Sequence, residues 1–207
     1  EDFDAQLLYK FYQNSYASHF PDRADREPLS TWLQLLSDES RDSLSVEDFH
    51  VLLAIEYPML SGSGTGTATK TTTTNIMGGL IFTYYPATSC GLLSYMTLNA
   101  AESNRELMAR SLLDEAAVNL HENAALRGHI AGCNAIFMEA PLTSNTPNGV
   151  RPDWDTLYKG GWRMLSFEYW RPPLSIFSAG ATPSMLLVLL TSMVPKQTGA
   201  DGKEFHY

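Results

Sequence analysis

The chain has 207 residues, 44% hydrophobic and 18% charged, a size and composition suited to one well-filled globular domain spanning 1–207. Against 14 basic residues stand 23 acidic ones, for a formal net charge of −9, so no bulk field draws nucleic acid or an anionic membrane surface; a local basic pocket is still allowed. The longest apolar run, Met185 to Val194 with Thr191 and Ser192 inside it, falls well short of the roughly 20 residues that span a bilayer.

The elements follow in chain order. From Phe3 to His19, Leu7, Leu8, Phe11, Tyr12 and Tyr16 recur close to helical spacing, and Pro21 marks the break. A second helix is expected over Pro28 to Leu36, capped by Ser30, with Leu29, Trp32, Leu33 and Leu36 on one face. His50 to Ile55 reads as a buried strand. The tract Ser61 to Asn75, rich in Gly, Ser and Thr, is expected to be a flexible insertion. Within it Gly64 to Thr71 superficially suggests a phosphate loop, but no glycine precedes Lys70 and no clear helix follows, so nucleotide hydrolysis is not expected.

Gly78 to Tyr85 and Cys90 to Leu98 form an expected hairpin, turned at Pro86 to Ser89. The second strand breaks at Asn99 and leads into the best helix of the chain, Ser103 to about Ala125. There Ala109, Leu112, Leu113, Ala116, Ala117, Leu120 and Ala124 line one side. Ser103 and Glu106 match a capping box. A helix start beyond a strand end is an anion site, because its first amides lack partners and the dipole is positive there. Strands are expected at Asn134 to Ala140, Trp162 to Trp170 and Met185 to Val194, with a short helix over Trp154 to Lys159. The order indicates an α/β or α+β sheet with helices packed on it.

Cys90 and Cys133 lie in apolar runs and read as free thiols, which favours a cytoplasmic or other reducing compartment. The first residues, Glu1-Asp2-Phe3-Asp4, show no secretory-signal pattern. His50, His121 and His129 show no ligand spacing with the cysteines, so no metal site is expected.

A strand feeding a long helix through a polar segment, in this element order, resembles the GNAT superfamily of acyl-CoA-dependent N-acyltransferases. Two motifs are similar to those of a subgroup. Phe20-Pro21-Asp22 leads to Arg26-Glu27-Pro28-Leu29, and Gly161-Trp162-Arg163-Met164-Leu165-Ser166-Phe167-Glu168-Tyr169 continues through Trp170-Arg171-Pro172-Pro173-Leu174-Ser175. The resemblance implies a mixed, mostly antiparallel central sheet flanked by helices. It also implies acetyl-CoA as cofactor, bound at Leu98 and Asn99 and at the pyrophosphate-loop positions Asn104, Arg105, Leu107, Met108 and Ala109. Of that loop pattern Ala109 alone conforms; Leu107 stands where a glycine is expected, and Glu106 adds a negative charge beside Arg105.

Acyl transfer to an amine needs a base for the ammonium proton and an acid for the leaving thiolate. The resemblance points to Glu139, at the end of its strand, as base, although it reads equally as an exposed strand-end glutamate. The thiolate-protonating position falls on Leu157, with Tyr158 one place off, about 100° around a helix. Tyr84, Tyr85 and Tyr95 are candidates to line an acceptor pocket, or else packing residues. Ser94 cannot serve as a base. Two functions remain open. One is acetyl transfer from acetyl-CoA to a primary amine of a small molecule or peptide. The other is a non-catalytic GNAT-fold module, a pseudoenzyme that has lost cofactor binding and serves a protein partner.

Overall fold

A computed structural model describes residues 4–21, 26–37, 47–56, 75–99, 102–141, 154–171 and 182–190. The chain opens with helix α1 (Ala5–Phe11), where the Asp4 carboxylate accepts the Gln6 and Leu7 N–H groups at 2.9 and 3.0 Å and so satisfies two of the free amides. A π-helical turn (Tyr12–Tyr16) and α2 (Ala17–His19) continue it. Helix α3 (Leu29–Ser37) begins ahead of the expected cap, Ser30, which lies inside it; Trp32 is buried while Leu33 faces outward.

The strands are β1 (Asp48–Glu56), β2 (Asn75–Tyr85), β3 (Cys90–Leu98), β4 (Ala135–Pro141), β5 (Arg163–Met164), β6 (Tyr169–Arg171) and β7 (Thr182–Leu190). Helix α4 (Glu102–Leu126) links β3 to β4, and α5 (Trp154–Lys159) precedes β5. The strand expected over Trp162 to Trp170 is thus two short strands. The Gly/Ser/Thr tract up to residue 74 and positions 191–194 of the last apolar run lie outside the described residues.

The strand order is β1-β2-β3-β4-β7-β5, with β6 also on β7. Every pairing is antiparallel except β3 with β4, which is parallel and crosses over through α4. This is a mixed, mostly antiparallel sheet with helices on both faces. On one face α4 and α5 cover Leu80, Phe82, Leu93, Ile136, Met138 and Leu187, burying Leu112, Ala116, Leu120, Ala124 and Leu157 of their own. On the other, α1, the π turn and α3 pack Leu8, Phe11, Tyr16 and Trp32 against Phe49, Ile81 and Tyr95.

Close approach of helix to sheet depends on two glycines. A Cβ at Gly79 would lie 2.6 Å from the Phe11 ring and 2.9 Å from the Leu52 carbonyl; one at Gly91 would meet Leu120 at 2.4 Å. The far end of α4 is anchored to β1. Arg127 and Asp48 form an ion pair of 2.7 Å, each side chain only 12% exposed, and Asn123 donates to His50 Nε2 at 2.8 Å while that ring stacks on Phe82. His50, expected near a strand end, is the third residue of β1 and helps hold this helix. The Cys133 N–H donates to His121 Nδ1 at 3.2 Å, so the ring that closes the helix–strand connection must be neutral on that nitrogen. Both cysteines are free thiols, and burial raises the Cys133 pKa to about 11, which keeps it protonated and inert.

Two outcomes follow for stability. Gly79→Ala lowers the free energy of urea unfolding by about 1–3 kcal/mol, since the Leu52 backbone cannot swing aside. Burial holds His121 below the ordinary histidine value of 6.5, so below that pH the unfolded chain binds a proton that the folded chain refuses. Its contribution is complete above pH 6.5 and is lost as pH falls toward the lowered value. His121→Asn therefore narrows the difference in urea midpoint between about pH 7.5 and about pH 5.5.

Candidate functional site

The parallel junction is short. Cys90 to Leu93 pair with Ala135 to Met138, and beyond them β3 runs on to Leu98 and β4 to Pro141 with no pairing between the two. What draws them apart is visible in the other ladders. β4 stays paired with β7 along its whole length, from Ala135–Leu190 to Pro141–Ser184, while β3 stays with β2 as far as Leu98–Gly78. At the parting point β3 carries a bulge. Leu93 pairs Phe82 and Tyr95 pairs Ile81, leaving Ser94 as the extra residue. The bulge reverses the facing, so that Leu93 belongs to the α4-side core and Tyr95 to the α1-side core, although they stand two residues apart. A crevice at the carboxyl ends of diverging parallel strands is where open sheets bind ligands.

Glu139 is the first β4 residue past the last β3–β4 pair. Ile136 and Met138 face α4, so alternation turns Glu139 to the opposite face. Its Oε1 accepts a hydrogen bond from the Tyr169 hydroxyl. Tyr169 lies on β6 opposite Ser184, two positions along β7 from Leu186, the partner of Glu139, and so reaches across β7. Tyr169 belongs to the motif that begins at Gly161, and its contact with Glu139 is a cross-strand diagonal that appears only once the strand order is known.

The segment after β3 differs from the expectation in one respect. Glu102 already opens α4, so Leu107, Met108 and Ala109 stand beyond the first turn and their amides are paired inside the helix. The first-turn amides that helix geometry leaves without a backbone carbonyl are those of residues 102–104. Ser103, the expected cap, is the second residue of the helix. The Leu107 side chain is 69% exposed, while Met108 and Ala109 pack against the core. Asn104 is exposed. Arg105 folds back toward the strand it follows, its Nη2 donating to the Leu98 carbonyl at 3.4 Å, and its buried Nε has no hydrogen-bond partner among the described residues. The Asn99 amide is committed to the fold: it donates to Ser15 Oγ in the π turn and, at 3.2 Å, to the Ile76 carbonyl.

The three pocket tyrosines do not line one cavity. Tyr84, fully buried under α4, hydrogen-bonds Ser89 at 3.1 Å, whereas Tyr95 packs edge-on against Tyr16 and Phe20 on the other face. Tyr85 is half-buried; burial first, then the carboxylates Glu47, Glu27 and Glu139, raise its pKa, so it stays a protonated donor. Tyr158 is 63% exposed and carries the Arg163 guanidinium over its ring at 4.1 Å, while Leu157 faces the core. The 100° offset read from the sequence is what turns this phenol outward. Among the described residues no group of three or more His, Cys, Asp or Glu could hold a metal ion, and no helix is long and apolar enough to cross a membrane.

No family model and no curated protein matches the sequence. Solved structures do match the fold. A Bacteroides thetaiotaomicron protein assigned to the GNAT acetyltransferases superposes with a TM-score of 0.54 at 14% identity, covering 90% of this chain and 82% of that one. The aminoglycoside 6′-N-acetyltransferase of Enterococcus faecium gives 0.50 at 10% identity, covering 95% and 97%. The chain has the GNAT fold.

Asn99→Ala leaves the buried Ser15 hydroxyl without its donor and lowers stability by about 1–3 kcal/mol in urea unfolding.

Proposed function

We propose that this chain is an acetyl-CoA-dependent N-acetyltransferase acting on a primary amine, with its site where β3 and β4 part. The observation that carries the reading is that, past the last β3–β4 pair, β3 leads on to the start of α4, where Arg105 Nε has no hydrogen-bond partner among the described residues, while β4 carries Glu139. The first-turn amides of residues 102–104 and the buried Arg105 Nε are the donors that would hold a pyrophosphate; that nitrogen has no hydrogen-bond partner among the described residues, which fits an anionic ligand. Asn104 flanks them. Leu98 supplies the strand end from which they project, and Asn99 fixes that end.

Bound acetyl-CoA would supply the activated carbonyl as a thioester. The rest falls to the chain. Glu139 accepts the proton that the acceptor ammonium must lose before nitrogen can attack, and a negative carboxylate in the crevice attracts a cationic acceptor. The C–N bond forms as the C–S bond breaks, and the second proton that the nitrogen sheds on bonding passes to the departing thiolate. Tyr158 faces solvent and is not assigned that proton.

The non-catalytic alternative gains from the same outward Tyr158 and from the closed amides of Leu107 to Ala109, and titration separates the two. Isothermal titration with acetyl-CoA gives a Kd on the order of 1–100 µM. Arg105→Ala weakens that affinity roughly 10-fold or more. Glu139→Gln leaves it unchanged and lowers kcat by roughly 10²-fold or more. Absence of heat at millimolar acetyl-CoA overturns the proposal in favour of a binding or assembly module.

A further inference from the structure

We infer that Tyr169 is the positioning residue for the Glu139 carboxylate, a role that rests on the transferase reading above. Glu139 is the first residue of β4 beyond the point where the neighbouring strand departs, so no side chain of a paired β3 residue flanks it on that side. A glutamate there has three free torsions and would sample several orientations in the crevice. The Tyr169 hydroxyl removes that freedom by donating to Oε1. Among the described residues Oε2 carries no hydrogen bond and is left to receive the acceptor's proton.

The support is itself well held. Tyr169 is half-buried and sits on β6, whose three residues pair with Thr182, Pro183 and Ser184 of β7, and β7 in turn holds β4 through seven register pairs that include Glu139–Leu186. Carboxylate and phenol are thus tied to the same central strand. The residue does not touch the acceptor nitrogen or the thioester in this assignment; it acts through Glu139. It also gives a physical reason for the tyrosine in the Gly161 to Ser175 motif, which the cofactor site does not use.

The test compares the parent with Tyr169→Phe, Glu139→Gln and the double variant. Acetyl transfer is measured to spermidine, kanamycin, a lysine peptide and a peptide with a free α-amino group, and acetyl-CoA affinity by titration. Tyr169→Phe removes one hydroxyl and keeps the ring, and thermal melts establish that each variant is folded. The expected result is a kcat lowered roughly 10- to 100-fold in Tyr169→Phe with acetyl-CoA affinity unchanged, because the base is present but misaimed. In the Glu139→Gln background the same substitution costs nothing further, since the group it aims is gone. A folded Tyr169→Phe within twofold of the parent, or an additive loss in the double variant, overturns the role of Tyr169 and leaves the transferase reading standing. Failure of the parent to bind acetyl-CoA, or binding without transfer to any of the four amines, overturns both.

Discussion

Everything at the candidate site depends on four parallel residue pairs between β3 and β4. They are the only strand ladder joining β1-β2-β3 to β4-β7 and its edge strands among the described residues, and the long antiparallel ladders on either side are each satisfied without more. Backbone hydrogen bonding therefore has two good homes past Leu93 and Met138, and they lie in different directions. The Ser94 bulge is how β3 manages the divergence: one unpaired residue bends the strand and re-aims its side chains. The parting of β3 from β4 past these pairs follows from how the ladders compete.

Burial divides the molecule into two cores that share only the sheet. The α4 side is mainly aliphatic, with Ala116 and Ala124 letting the helix lie close, whereas the α1 side is a cluster of Phe11, Tyr12, Tyr16, Phe20, Trp32 and Tyr95 with ring centroids 4.5–6.3 Å apart. Tyr16 carries its hydroxyl into that second core and accepts the Glu27 N–H at 3.1 Å, and burial raises its pKa far enough that it stays neutral. The π turn that places Tyr16 also presents Ser15 to Asn99, so the aromatic core and the end of β3 are connected by one hydrogen bond.

Periodicity made the regular elements legible. Helix α5 occupies the expected Trp154 to Lys159, the hairpin turns at Pro86 to Ser89, and α4 runs within a residue of its predicted ends with Leu112, Ala116, Leu120 and Ala124 buried. These depend on local pattern. What was not legible depends on non-local partners. Leu33 shares a helical stripe with Trp32's neighbours yet stays exposed. Tyr84 and Tyr95 read alike, as pocket or packing residues, until the bulge and the two cores assign them to opposite faces. Glu139 could be placed at a strand end by counting, but the phenol that holds it comes from a strand thirty residues later, two positions across the sheet. The positions 104–109 compared with a glycine-bearing loop lie inside α4, which begins at Glu102, so a match to a loop pattern could not describe them.

The clamp at the far end of α4 has a mechanical consequence. With Arg127 and Asn123 bolted to the first strand and Leu120 seated in the hollow over Gly91, the rod is fixed by its tail and middle, while Met108 on the core and Arg105 on the Leu98 carbonyl hold its front. A rod held along its length keeps its dipole in one direction, set once when the chain folds.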